Sequence, residues 1–153
     1  MNTKADLAKS FDAILVGLLR DTAASRTTLR LDYPERGMHV DDVAGEAVAA
    51  GVKSLRRQTA IDQRAAGTVR WLDRERRILV QDRLENADPA PPEALVQVYD
   101  TKAQMLAPVI RDGALQGWIS VHYNPAPREW SKADLRCLED AVAAVHAALD
   151  VAG

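Results

Sequence analysis

Gly117-Trp118-Ile119-Ser120-Val121-His122-Tyr123 is the stretch that decides the fold. Its side chains alternate, so one face of a strand carries Ile119 and Val121 while the other carries Trp118, Ser120 and His122. A second apolar run, residues 103–110, precedes it, and Arg111-Asp112-Gly113 between the two has the composition of a tight hairpin turn. After a short polar link comes Ser131-Lys132-Ala133-Asp134. Its hydroxyl and acid, three residues apart, form a capping box that opens a helix over residues 132–149. Hairpin and helix together call for a two-sided sheet, with one face packed on helices and the other free to present polar groups.

Upstream, Leu7, Phe11, Ile14, Leu15 and Leu18 recur at helical spacing, which predicts a helix over residues 4–20. Residues 25–31 read as a strand with Leu29 and Leu31 on one side and Thr28, Arg30 and Asp32 on the other. Residues 40–48 read as a second strand, with a short helix as the competing reading. A basic connection over 52–58 leads to a predicted helix over 60–72, then a short strand over 77–81. A proline-rich loop follows, and a helical turn carries residues 94–98. The fold class expected is α+β: a central antiparallel sheet, the first and last helices on one face, and helical and loop cover over a pocket on the other.

Size and composition narrow the functional classes. The chain has 153 residues and is expected to form a single domain over 1–153. Hydrophobic residues make up 47% and charged residues 27%, with a net charge of −2, so no global field favours nucleic acid or an anionic membrane. One cysteine allows no internal disulfide, which suits a reducing, cytoplasmic setting. No apolar run is long enough to cross a bilayer, and the acids near the N-terminus are unlike a signal peptide. Nine basic residues face four acids between Lys53 and Arg83. That excess suits either a solvated helix or an anion-facing lid, and without a recognised nucleic-acid motif, nucleic acid is not expected as a partner.

The order of these parts resembles that of a GAF domain. The pieces that carry the resemblance are the 25–32 strand, Ile78-Leu79-Val80-Gln81-Asp82, Met105-Leu106-Ala107-Pro108-Val109, Gly117 opening the next strand, and Trp130-Ser131-Lys132-Ala133-Asp134 before the last helix. The resemblance, in a GAF/PAS-like arrangement, implies a ligand pocket on the sheet face away from the terminal helices. It also implies frequent dimerisation and often an attached output domain, which is not expected here, so that a signal would pass through a partner chain. Free methionine-sulfoxide reductases share this fold and length, but they need a nucleophilic and a resolving thiol, and Cys137 stands alone.

The expected ligand is a small organic anion or an aromatic effector. Arg30, Gln104, Trp118, Ser120 and His122 would line its pocket, and Arg56, Gln63 and Arg64 would serve a lid. Arginine suits a carboxylate because its fork of donors meets two oxygens at once. Two alternatives stand beside this reading. One is an enzyme acting on a small carboxylate with His122 as acid or base; the other is a ligand-free interaction module. Ser120 and His122 make no nucleophile–base pair, because residues i and i+2 on a strand lie about 6.5 to 7 Å apart, and no Gly-x-Ser-x-Gly elbow is present. His39, His122 and His146 are scattered, so no metal site is expected, and no cofactor motif is evident. Leu135, Leu138, Val142, Val145 and Leu149 step by three and four, with Ala141, Ala144 and Ala148 beside them. This spacing suggests a homodimer through the first and last helices.

Overall fold

The structure, a computed structural model, describes residues 3–56 and 62–152. Four α-helices, α1 (Lys4–Thr22), α2 (Gly67–Glu75), α3 (Glu93–Gln97) and α4 (Lys132–Ala152), accompany five strands. The strands are β1 (Arg26–Leu31), β2 (Gly45–Val48), β3 (Leu79–Gln81), β4 (Ala103–Arg111) and β5 (Ala114–Tyr123). They form one antiparallel sheet in the order β2-β1-β5-β4-β3.

Helices α1 and α4 pack on each other and on one face of the sheet. Their buried side chains (Leu7, Phe11, Leu15 and Leu18 from α1; Leu138, Val145 and Leu149 from α4) meet Leu29, Leu31, Met105, Ile119 and Val121. This is the alternation read from the sequence, with the apolar parity of β1 and β5 turned to the helices. Capping fixes where both helices begin. Thr3 and Asp6 exchange side-chain and backbone bonds at α1. At α4, Asp134 N donates to Ser131 Oγ at 3.0 Å and Ser131 N to Asp134 Oδ2 at 2.9 Å. Arg128 secures the approach to α4. Its guanidinium stacks between Tyr123 and Trp130, donates to Asp134, and donates to Thr22 O at the end of α1. The hairpin turn at Asp112-Gly113 places both residues at positive φ, 52° and 78°, the geometry that follows the twist of its strands.

The opposite face is roofed by α2, α3 and their connections, over a second apolar cluster of Val40, Val69, Leu72, Leu79, Leu106, Leu115 and Trp118. Several expectations shift here. The strand read over 40–48 is only Gly45–Val48; Asp42 N bonds back to His39 O, so residues 39–42 turn instead. The helix read over 60–72 is a 3-10 turn at Gln63–Ala65 followed by α2, which continues to Glu75, while residues 60 and 61 lie outside those described. Arg76 adopts the left-handed conformation that ends α2, so β3 starts at Leu79, later than the 77–81 reading. Trp71 is half-buried against the second cluster, with Arg77 stacked on it at 4.9 Å. The apolar stripe of α4 is largely consumed by this chain's own core, with Leu138, Val145 and Leu149 buried and Leu135 and Val142 packed against it.

Gly117 of β5 lies against Leu31 and Arg30 of β1. A Cβ there would lie 2.1 Å from the backbone oxygen of Arg30 and 2.7 Å from Leu31. Backbone cannot give way as a flexible side chain can, so Gly117→Ala is expected to destabilise the fold by at least the ~1–3 kcal/mol typical of overpacking, measured by denaturant unfolding.

Candidate functional site

The pocket face of the sheet is ordered in rows by strand register. In the first row Arg26 of β1 pairs with His122 of β5, which pairs with Gln104 of β4, which pairs with Gln81 of β3. In the second row Glu46 of β2 pairs with Thr28, Thr28 with Ser120, and Ser120 with Leu106. In the third Arg30 pairs with Trp118. Between these rows and the roof lies a hollow of about 40 Å³. Its floor includes Thr28, Arg30, Gln104, Leu106, Trp118, Ser120 and His122; Leu55, Gln63, Thr68, Val69, Leu95 and Tyr99 are among the residues that close it.

Of the eight residues singled out in the sequence, six line this hollow: Arg30, Gln63, Gln104, Trp118, Ser120 and His122. Arg56 and Arg64 do not. Arg56 turns to the first helix, with Nη2 2.9 Å from Asp12 Oδ1. Arg64 braces the rim, bonding Asp32 and Leu115 O with its guanidinium 5.9 Å from the Trp118 ring. His146 is not in the lining; its Nδ1 is 3.2 Å from Arg111 Nη1. Cys137 sits on α4, across the sheet from the hollow.

Sequence reading missed Arg26, which shares the parity of Thr28 and Arg30 and could have been found by carrying the alternation back two residues. It is fully buried, with 0% exposure. Its Nε donates to Lys53 O at 3.0 Å, its Nη1 to His122 Nδ1 at 3.0 Å, and its guanidinium lies 5.4 Å from the centre of the Tyr99 ring. Arg30, at 4% exposure, donates from Nη1 to Val40 O and Asp41 O at 3.1 and 3.0 Å. Among the described residues neither guanidinium has a carboxylate oxygen within 4.0 Å. The nearby Glu46 is engaged by Ser54 Oγ and Leu55 N. Burial lowers the pKa of both arginines, and the carboxylates farther off oppose it. Two buried polar atoms on this strand have no partner among the described residues: Arg26 Nη2 and Thr28 Oγ1.

Because a guanidinium only donates, His122 Nδ1 must accept, and the ring proton resides on Nε2. Burial holds His122 well below its ordinary value of 6.5, with Arg26 and Arg30 adding to the effect. The imidazole is therefore a neutral donor whose lone-pair nitrogen is already occupied. Gln104 is fixed by a relay in which its Nε2 donates to Gln81 Oε1 at 2.8 Å and Gln81 Nε2 donates to Pro89 O at 2.7 Å. Such a set can hold and orient an acceptor-rich group. It offers no free base for proton abstraction. Among the described residues no cluster of three or more His, Cys, Asp or Glu side chains could hold a metal ion.

The depressed His122 sets a pH dependence. Unfolded, the ring takes up a proton near 6.5; folded, it resists until lower pH. The unfolded chain thus binds more protons just below that value, and stability falls as pH drops. Unfolding free energy is expected to decline between pH 7 and 5 with a slope approaching ~1.4 kcal/mol per unit, and His122→Gln should flatten it, as read by denaturant titrations at each pH.

The GAF domain family model matches residues 6–149. Among solved structures, the blue-light-absorbing form of the PixJ GAF domain of Thermosynechococcus elongatus superimposes with a TM-score of 0.76 at 18% identity, covering 96% of this chain and 87% of that one. The GAF domain of an Acinetobacter phosphoenolpyruvate-protein phosphotransferase gives 0.68 at 15% identity, covering 95% and 83%. The far-red-absorbing dark state of JSC1_58120g3 with bound biliverdin gives 0.70 at 17%, covering 94% and 89%. No curated protein matches the sequence. With the match spanning nearly the whole chain, and with the sheet order and terminal helix pair described above, the chain belongs to the GAF domain family.

Proposed function

We propose that this GAF domain binds a small organic anion in the hollow above its sheet and acts as a sensor, its occupancy passed on through a second copy or a partner chain. One observation carries the reading: Arg26 and Arg30 are buried beneath the roof with no described carboxylate within 4.0 Å. A buried charge without a counter-charge is costly, and an anionic ligand is the partner that would offset it. The neighbouring polar groups suit the same ligand, since Thr28, Ser120 and His122 can all donate.

Biliverdin, bound by one of the similar structures, does not fit these residues. An open-chain tetrapyrrole far exceeds a hollow of about 40 Å³, and a thiol link would need a cysteine there, whereas Cys137 lies across the sheet. Turnover with His122 as base is not favoured, because its accepting nitrogen is bonded to Arg26.

Acetate, pyruvate, benzoate and phosphate, screened by thermal shift at constant ionic strength, test the reading. A true ligand at a hundred times its dissociation constant should add about 2.7 kcal/mol of stability. Arg30→Met, once its circular dichroism matches wild type, should abolish that gain. An unchanged gain in the variant, or no gain from any anion, would remove the hollow as a receptor.

For the route out of the domain, Ile14, Gly17, Ala141 and Ala144 line a shallow groove between α1 and α4, and Val16 beside it is exposed. Light scattering is expected to give twice the chain mass, and Gly17→Glu to halve it; a monomeric wild type would leave a partner chain as the route.

A further inference from the structure

We infer that the ligand of the hollow is a hydroxy acid whose hydroxyl sits between His122 Nε2 and Gln104 Oε1, and that Gln81, outside the lining, sets the preference for that hydroxyl. This rests on the anion reading of the site and adds to it a second, uncharged recognition point on the floor.

His122 and Gln104 stand directly opposite each other across β5 and β4. Both line the hollow, at 3% and 1% exposure. Each has one side already committed. His122 Nδ1 accepts from Arg26, so Nε2 carries the ring hydrogen and can only donate. Gln104 is committed through a relay that starts at a backbone carbonyl. Pro89 O can only accept, so the Gln81 atom 2.7 Å from it is Nε2, and Gln81 Oε1 is left to face Gln104. That oxygen needs a donor. Gln104 therefore turns Nε2 to it, at 2.8 Å, and keeps Oε1 on the other side. Among the described residues neither His122 Nε2 nor Gln104 Oε1 has a hydrogen-bond partner.

A donor and an acceptor fixed side by side call for a group that accepts from one and donates to the other. A hydroxyl does both with a single oxygen. A keto or aldehyde oxygen would take the His122 hydrogen but leave Gln104 Oε1 facing another acceptor. A methylene would leave both unpaired in a buried site, where an unmet polar group is costly. The Gln81 relay makes this discrimination possible, because an untethered Gln104 could rotate its amide and offer Nε2 to a carbonyl instead. The acid end belongs to the next rows of the floor. There Thr28, whose Oγ1 has no partner among the described residues, pairs with Ser120, and Arg30 follows on β1. Adjacent rows are about 6.5 to 7 Å apart along a strand, so the hydroxyl is carried at a distance from the acid.

Calorimetry on the full chain, at neutral pH and constant ionic strength, tests this with hydroxy acids and their deoxy and oxo counterparts. The sets are beta-hydroxybutyrate with butyrate and acetoacetate, gamma-hydroxybutyrate with butyrate and succinate semialdehyde, and para-hydroxybenzoate with benzoate and para-formylbenzoate. In at least one set the hydroxy acid should bind about tenfold or more tighter than both counterparts, which is what one buried unpaired group is worth. Gln81→Met, once its circular dichroism matches wild type, should admit the oxo acid and bring the hydroxy-to-oxo ratio close to unity, with the deoxy acid unchanged. Equal weakening of all members of the set would instead mark a packing role and overturn the assignment to Gln81. Should that variant fail to fold, Gln104→Met removes the acceptor itself and should bring the same ratio close to unity. A hydroxyl preference that survives the substitution would have its source elsewhere and overturn the proposal. Acids that bind with no preference for the hydroxyl in any set would also overturn it, while leaving the anion reading standing. Failure of every acid would overturn both.

Discussion

The pairing of β1 with β5 is the constraint on which the rest of the molecule depends. Its register sets Arg26 opposite His122, Thr28 opposite Ser120 and Arg30 opposite Trp118, and it places Leu29 and Ile119 together on the other face. A slip of one residue would turn Leu29, Leu31, Ile119 and Val121 toward the roof and drive the arginines into the helical core. The apolar face, sealed by α1 and α4, thus supplies the free energy that holds the polar face in place. Gly117 helps to pin that register, because its position against the Arg30 carbonyl excludes any side chain.

What the pairing creates on the pocket side is an electrostatic imbalance. Two guanidiniums are drawn out of water, and the carboxylates whose charge reaches them are held by other groups: Glu46 by Ser54 and Leu55 N, and Asp41, beside Arg30, by Gln63 N. A core selected only for stability would pair these charges or replace them with apolar groups of similar volume. Their persistence beside an orphaned hydroxyl makes the hollow a place where stability is held in reserve for a ligand. Burial, with the two arginines adding to it, keeps His122 neutral, so a ring that could act as an acid or base is confined to donating from one nitrogen.

Much of this was legible in the sequence, and the parts that were not share a cause. Alternation in β1 and β5 located Arg30, Trp118, Ser120 and His122 on one face, because period-two patterning survives wherever one face is buried. Gln104 stood out as a polar residue inside an otherwise apolar strand, but its face is fixed by pairing with His122 of β5, a relation that the sequence of β4 does not carry. Arg26 was passed over although its parity marks it, because an arginine at the start of a strand reads as a solvated end until the 49–56 connection and Tyr99 are seen to cover it. Arg56 and Arg64 were expected in a lid because this basic region covers the pocket in the family that the chain resembles. Charge did not say which carboxylate would claim them, and Asp12 and Asp32 are 44 and 32 residues away in the chain. The roof was the least legible part. Its short helices are shaped by contacts with the sheet beneath, as when Gln63 N finds Asp41, and not by a repeating pattern of their own.

That asymmetry bears on how one fold serves different ligands. The terminal helices and the inner parity of the strands are written in strong, redundant patterns, and similar structures at 15–18% identity keep the same arrangement. The roof and the outer parity are written in single residues. Exchanging a few of them changes charge, volume and donor set without disturbing the sheet. In this chain those residues include Thr28 and Arg30 below, with Gln63, Val69 and Leu95 above, and together they line a donor-bearing space that holds one guanidinium. Specificity in such a site follows from what is missing as much as from what is present. Among the described lining residues there is no carboxylate, so a cationic group in the hollow would meet the Arg30 guanidinium with no counter-charge beside it.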